Sequence, residues 1–218
     1  MNEDERIVIS KSVSTSLASP IDTYRQNRLT KNVVNGHKIT NGAWVSFVSS
    51  FLISYPCQSV IRACENRHVP EILSVVLGVC VSNVIKAPLV YNYKRAQTGI
   101  KMTARIPIKC LTKVSGISVL EDVLEEGMRY TFTKQNSKNA SFSTSCRQSM
   151  MLFSMSYPFD LLKNREYHGM ASIVGSKRDF LSKLVHKNVQ NVLYFQLLNG
   201  LVQRSRRTDS VQVGLHTC

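Results

Sequence analysis

The sequence predicts an all-α membrane protein of six transmembrane helices in three tandem helix pairs, and three observations carry that prediction. First, a motif recurs at nearly constant spacing: Pro20-Ile-Asp22-Thr-Tyr-Arg25, Pro88-Leu-Val90-Tyr-Asn-Tyr93 and Pro158-Phe-Asp160-Leu-Leu-Lys163, with the prolines 68 and 70 residues apart. A period of that length marks one supersecondary unit used three times. Second, no charged residue falls between Ile39 and Ile61, a run that matches the roughly 20 residues a helix needs to cross a bilayer. Third, strongly basic connections alternate with weakly or mixed-charged ones, the pattern the positive-inside rule gives a chain that crosses several times.

Taken in order, the helices are expected at 5–27, 40–64, 71–97, 115–135, 141–166 and 180–204. These make a single domain of repeats 5–68, 69–137 and 138–205, followed by a tail over 206–218. The first helix carries Ser10, Ser12, Ser14, Ser16 and Ser19, small polar residues that suit a cavity lining or close helix packing. Taken alone, that segment also reads as a loose polar terminus. The second is the charge-free stretch, with Trp44, Phe47, Phe51 and Leu52 among serines. The third builds on Ile72 to Ile85 and runs into the second copy of the motif.

The fourth helix is the awkward one, because Glu121, Asp122, Glu125 and Glu126 recur at helical spacing. Acids in lipid are prohibitive, whereas a wet cavity or the membrane surface tolerates them. The surface is the expected place, with Glu125 pairing with Arg129 at i,i+4. The fifth and sixth helices rest on Gln148 to Phe159 and Asn188 to Gln203, and Arg204-Ser-Arg206-Arg207 is expected as an exposed basic end.

Lys and Arg outnumber Asp and Glu by 28 to 14, a net charge of +14. So basic a chain fits a nucleic-acid surface or anionic lipid and solute. The mean hydropathy of −0.09 excludes six helices that face lipid all round, but not helices with polar inner faces around a water-filled cavity. The 6 cysteines form no C-x-x-C pair and no His stands at zinc-ligand spacing, so neither metal nor cofactor is expected. Met1 to Arg6 is unlike a transit peptide or a secretory signal, and targeting is expected from internal segments. Asn139-Ala-Ser141 matches a glycosylation sequon by chance. No Gly-rich phosphate loop or G-x-S-x-G occurs, and no enzyme is expected.

A proline inside a helix removes a backbone hydrogen bond and bends the rod. Three at matching depth bend three helices alike, and the acid two residues on and the base five on then lie near the convergence. This P-x-D-x-x-[KR] pattern at the ends of the odd-numbered helices, with Gln97 nine residues after Pro88 and Gly99 and Gly169 eleven beyond their prolines, resembles the signature of the mitochondrial carrier family. The resemblance spans most of the chain.

It implies a pseudo-threefold bundle around a central cavity that works by alternating access. The matrix gate would draw on Pro20, Asp22, Arg25, Pro88, Tyr93, Gln97, Pro158, Asp160 and Lys163, pairing Asp22 with position 93, position 90 with Lys163, and Asp160 with Arg25. Val90 stands where the family has an acid and Tyr93 where it has a base. Only Asp160 and Arg25 therefore remain as an ion pair, Lys163 loses its expected partner, and Asp22 is left to the Tyr93 hydroxyl, Lys94 or Arg95. On the even helices, remnants of a second network are Tyr130-Thr131 with Lys134, Phe195-Gln196 with Asn199, and Arg62 with Glu65.

Counting back from those remnants puts substrate contacts near Ser49, Ser50, Ile53, Ser118, Asp122, Lys183 and Lys187. Lys183 and Lys187 share a helical face and are placed either to hold an anionic solute or to sit as solvated lysines at the membrane surface. A cavity-facing Asp122 would instead suit a zwitterion or a cation. The resemblance thus implies a monomer in the mitochondrial inner membrane, or that of a related organelle, exchanging a small metabolite, an anionic one among the candidates, and touching anionic lipid and no nucleic acid. Two alternatives stay open: a carrier-fold adaptor that no longer transports, and a soluble basic helical protein that binds nucleic acid. The last explains the charge but not three prolines in register.

Overall fold

In the computed structural model the described residues are 3–29, 36–97, 108–135, 141–168 and 176–215. Within these spans, the side chains at 87, 88 and 90–97, and those at several other helix ends, fall outside the described set. The elements are α1 (Glu3–Leu29), α2 (Gly36–Glu65), α3 (Glu71–Gln97), α4 (Ile108–Gln135), α5 (Phe142–His168) and α6 (Lys177–Leu215), with no strand among the described residues.

Local chemistry accounts for the helix ends. α1 opens on Glu3, Asp4 and Glu5 and closes on Arg28, charges that complement the helix dipole. α2 stops where His68 takes a left-handed φ of 57° and the Val69 N–H reaches back to the Cys64 carbonyl at 3.0 Å, a six-residue closing turn. Ser141 caps α5 by accepting the Thr144 N–H at 3.2 Å, and Ser176 caps α6 by accepting the Asp179 N–H at 3.2 Å. α6 runs on to Leu215, past the 205 expected as the end of the third repeat. The apolar count ends near Gln203, but arginines propagate a helix well without apolar neighbours.

Each helix packs on its neighbours in sequence, and α6 returns to pack on α1, closing a ring of six. The serines of α1 serve close packing. Ser10, Ser12, Ser14 and Ser19 are buried, and Ser16 donates to the Ala43 carbonyl of α2 at 2.9 Å. This excludes the loose polar terminus. Between α2 and α3 the close approach falls at Gly78, where an added Cβ would stand 2.8 Å from the Cys57 carbonyl oxygen and 2.9 Å from Ile61.

The distribution of side chains is inverted relative to a soluble protein. Among the described residues, buried polar and charged side chains outnumber buried apolar ones by more than two to one. Large apolar side chains face outward instead, with Trp44, Ile72 and Val84 exposed by 66%, 81% and 76%. Among the described residues, buried apolar side chains gather in two small clusters. One gathers Phe132, Leu152, Tyr194, Phe195 and Leu198 from α4, α5 and α6, and the other Cys57, Ile61, Val75 and Val79 from α2 and α3. By length and composition, one segment of the described residues, Ile39–Glu65 in α2, is apolar enough to cross a membrane. The other helices carry polar inner faces, which lower an average taken over the whole circumference.

Candidate functional site

All six helices contribute to the wall of a central cavity of about 240 Å³. α2 supplies an uncharged wall with Ser46, Ser49, Ser50, Ile53, Ser54 and Cys57. Charges from the other helices line the rest, and among the lining residues carboxylates equal Lys plus Arg in number. With the imidazole of His186, which also lines it, counted as neutral, the cavity is formally neutral inside a chain of net charge +14.

At the end of the ring where the motif lies, Arg25 is almost fully buried, at 2% exposure. Its Nη2 meets Asp160 of α5 at 3.0 Å, its Nε meets Asp179 of α6 at 2.6 Å, and Asp22 stands one turn back at 3.9 Å. Asp160 in turn receives Lys183 at 2.6 Å. The pair of Asp160 and Arg25 is therefore present, embedded in a five-member cluster of charges that ties α1, α5 and α6 together. Such clusters hold only when every charge finds a partner, because desolvation of each ion costs several kcal/mol.

Lys163 finds a partner outside the motif. Val90 removes its motif partner, but Glu121 of α4 pairs with it. The acids of α4 are not at a surface: Glu121 and Glu125 are buried, and Glu121, Asp122, Glu125 and Glu126 all line the cavity. Each faces a cation. Lys11 of α1 pairs with Glu126, Lys86 of α3 with Asp122, and Lys187 of α6 with Glu125 at 2.5 Å. Asn83 also donates to Asp122 at 2.9 Å. Arg129 bridges Glu125 at 3.2 Å and Glu126 at 3.0 Å, and donates to Asn191 of α6 at 2.9 Å.

Of the substrate contacts expected by counting, Ser49, Ser50, Ile53, Asp122, Lys183 and Lys187 are on the cavity wall. Lys183 and Lys187 are buried there, which overturns their reading as solvated surface lysines. Ser118 is buried on α4 but is not part of the wall. Pro20 and Pro158 lie inside α1 and α5. Pro88, Tyr93 and Gln97 lie within α3, and their side chains, with those of Val90, Lys94 and Arg95, are outside the described set, as are residues Gly99 and Gly169.

At the opposite end the remnant pairs are rearranged. Arg62 bonds Asp4 of α1 at 2.5 Å rather than Glu65, and Glu65 accepts from the Tyr130 hydroxyl of α4. Gln196 donates to Ser145 of α5 at 3.1 Å. The side chain of Lys134 is outside the described set.

Sequence reasoning missed Asp179, Lys11 and Lys86 and the cavity role of Glu126 and Arg129. Asp179 had a local signal, since Ser176-x-x-Asp179 before an apolar run is the pattern of a capped helix start. The lysines had none, because each meets its partner only across the ring. No family model, curated protein or solved structure matches the chain.

Proposed function

We propose that the chain is a transmembrane solute carrier, exchanging a small metabolite across the inner membrane of a mitochondrion or a related organelle by alternating access. The observation that carries this reading is the inversion of side chains, with apolar residues turned outward around a polar, ion-paired cavity. In water that arrangement would expose apolar surface and bury charge, both costly; in lipid it satisfies each group. The resemblance of the three motifs to the carrier signature supports the same function, and the Arg25 cluster supplies a closure at one end of the cavity. Opening that end requires separation of Arg25 from Asp160 and Asp179, with water or solute replacing the lost partners.

Two assays test it in sequence. The expressed chain should remain in the membrane pellet after carbonate extraction, and the purified chain in liposomes should exchange an internal labelled solute for an external one. Release by carbonate would contradict the membrane reading. Membrane retention without exchange of any solute would favour the adaptor.

A further inference from the structure

We infer that the solute is a small zwitterion, carrying one ammonium and one carboxylate group, rather than an anion; this rests on the carrier reading of the same cavity. The first ground is charge. Lys183 and Lys187 would attract an anion if free, but Asp160 and Glu125 already neutralise them at 2.6 and 2.5 Å. The whole wall is balanced in the same way. A solute with net charge would leave water for a cavity with no surplus counter-charge, and burial of an uncompensated ion is expensive.

A zwitterion meets no such penalty. Its ammonium can join the carboxylates of α4 while its carboxylate joins the cations facing them, and each existing pair exchanges one partner for another of equal sign. The second ground is unspent hydrogen-bonding capacity at the wall. The Ser54 hydroxyl and the Arg129 Nε are buried and have no hydrogen-bond partner, and both residues line the cavity. Polar groups buried in this way are normally satisfied, here by water or by a polar solute toward which the side chains turn.

Size is the third ground. A cavity of about 240 Å³ lies just below the roughly 300 Å³ at which clefts for larger organic ligands begin. An amino-acid-sized molecule fits a cavity of this scale.

The test separates this inference from the carrier reading by measuring binding and exchange independently. Thermal stabilisation of the full chain in detergent is measured with L-alanine, L-serine and L-glutamine as zwitterions, with phosphate, malate and ATP as anions, and with choline as a cation. A bound ligand raises Tm with concentration. The expected result is stabilisation by at least one zwitterion and none by the ions. Stabilisation by an anion or choline above every zwitterion, or by no probe, overturns the inference.

The variants Glu125→Gln and Lys187→Gln give the wall a net positive and a net negative charge respectively. They should move the preference in opposite directions, toward phosphate or malate and toward choline, by roughly tenfold or more in relative affinity. The double variant should return it to zwitterions. If either single variant does not fold, the wild-type panel alone decides. Liposome exchange is then run with the same probes: a zwitterion that stabilises but does not exchange leaves the inference standing and removes the transport function. Exchange of an anion alone does the reverse.

Discussion

Exchanging the residues of the surviving motif pair, R25D with D160R, should fail to restore stability, although an isolated ion pair would tolerate the swap at least in part. The reason lies in the second partner each residue keeps. R25D sets a carboxylate against Asp179, which now lies 2.6 Å from the Arg25 Nε. D160R sets a guanidinium against Lys183, now 2.6 Å from the Asp160 carboxylate. Like charges about 4 Å apart repel by roughly 4 kcal/mol at an effective dielectric near 20, and the exchange creates two such contacts. The single variant R25M removes the cation that bonds both aspartates, a loss of ~3–5 kcal/mol for a broken buried ion pair. In a chain of this size that corresponds to a fall in Tm of roughly 6–20 °C. Thermal unfolding of the detergent-purified chain reads the effect, with the exchange rate in liposomes as a second readout. The swapped variant should unfold at or below the temperature of R25M. Recovery to the wild-type Tm would refute a shared five-member cluster and restore the simple pair.

Other perturbations read other parts of the ring. G78V should loosen the α2–α3 contact by ~1–3 kcal/mol through overpacking, since even a Cβ there meets the Cys57 carbonyl at 2.8 Å; the thermal midpoint checks it. G116A, with nothing within 4 Å of an added Cβ, should raise stability by up to ~1 kcal/mol through helix propensity. R129K keeps the charge but loses the fork that reaches Glu125, Glu126 and Asn191 together, and should cost ~1.5–3 kcal/mol. F195A removes a ring buried at 2% exposure and packed edge-on against Phe132, with an expected loss of ~3–5 kcal/mol.

How much of this was legible in the sequence follows from the range of each signal. The third helix was expected at 71–97 and stands at Glu71–Gln97, because Pro70 before it and the motif within it are local marks. α4 begins at Ile108, earlier than the expected 115, since its first turns carry too little apolar periodicity to count. The contact of Asp160 with Arg25 was legible because the resemblance carried by the repeated motif implies which positions pair. The partnership of Lys163 with Glu121 was not. It replaces an acid lost at Val90 with one from a different helix, and no spacing along the chain records that two helices face each other across a cavity. The acids of α4 were assigned to the surface for the same reason: their cost in the interior depends on Lys11, Lys86, Lys163 and Lys187, all distant in sequence. Polar residues that line the inside lower the mean hydropathy of the other helices, and α2 is the one segment of the described residues with a strong apolar signal.

The inverted distribution of side chains is tested most directly at Trp44, the single tryptophan of the chain, which points outward from α2 with 66% exposure. In liposomes a lipid-facing Trp44 should emit at short wavelength, be quenched by lipids brominated along the acyl chain, and be untouched by iodide in the aqueous phase. Long-wavelength emission quenched by iodide, with no response to brominated lipid, would place that face in water and contradict the membrane carrier.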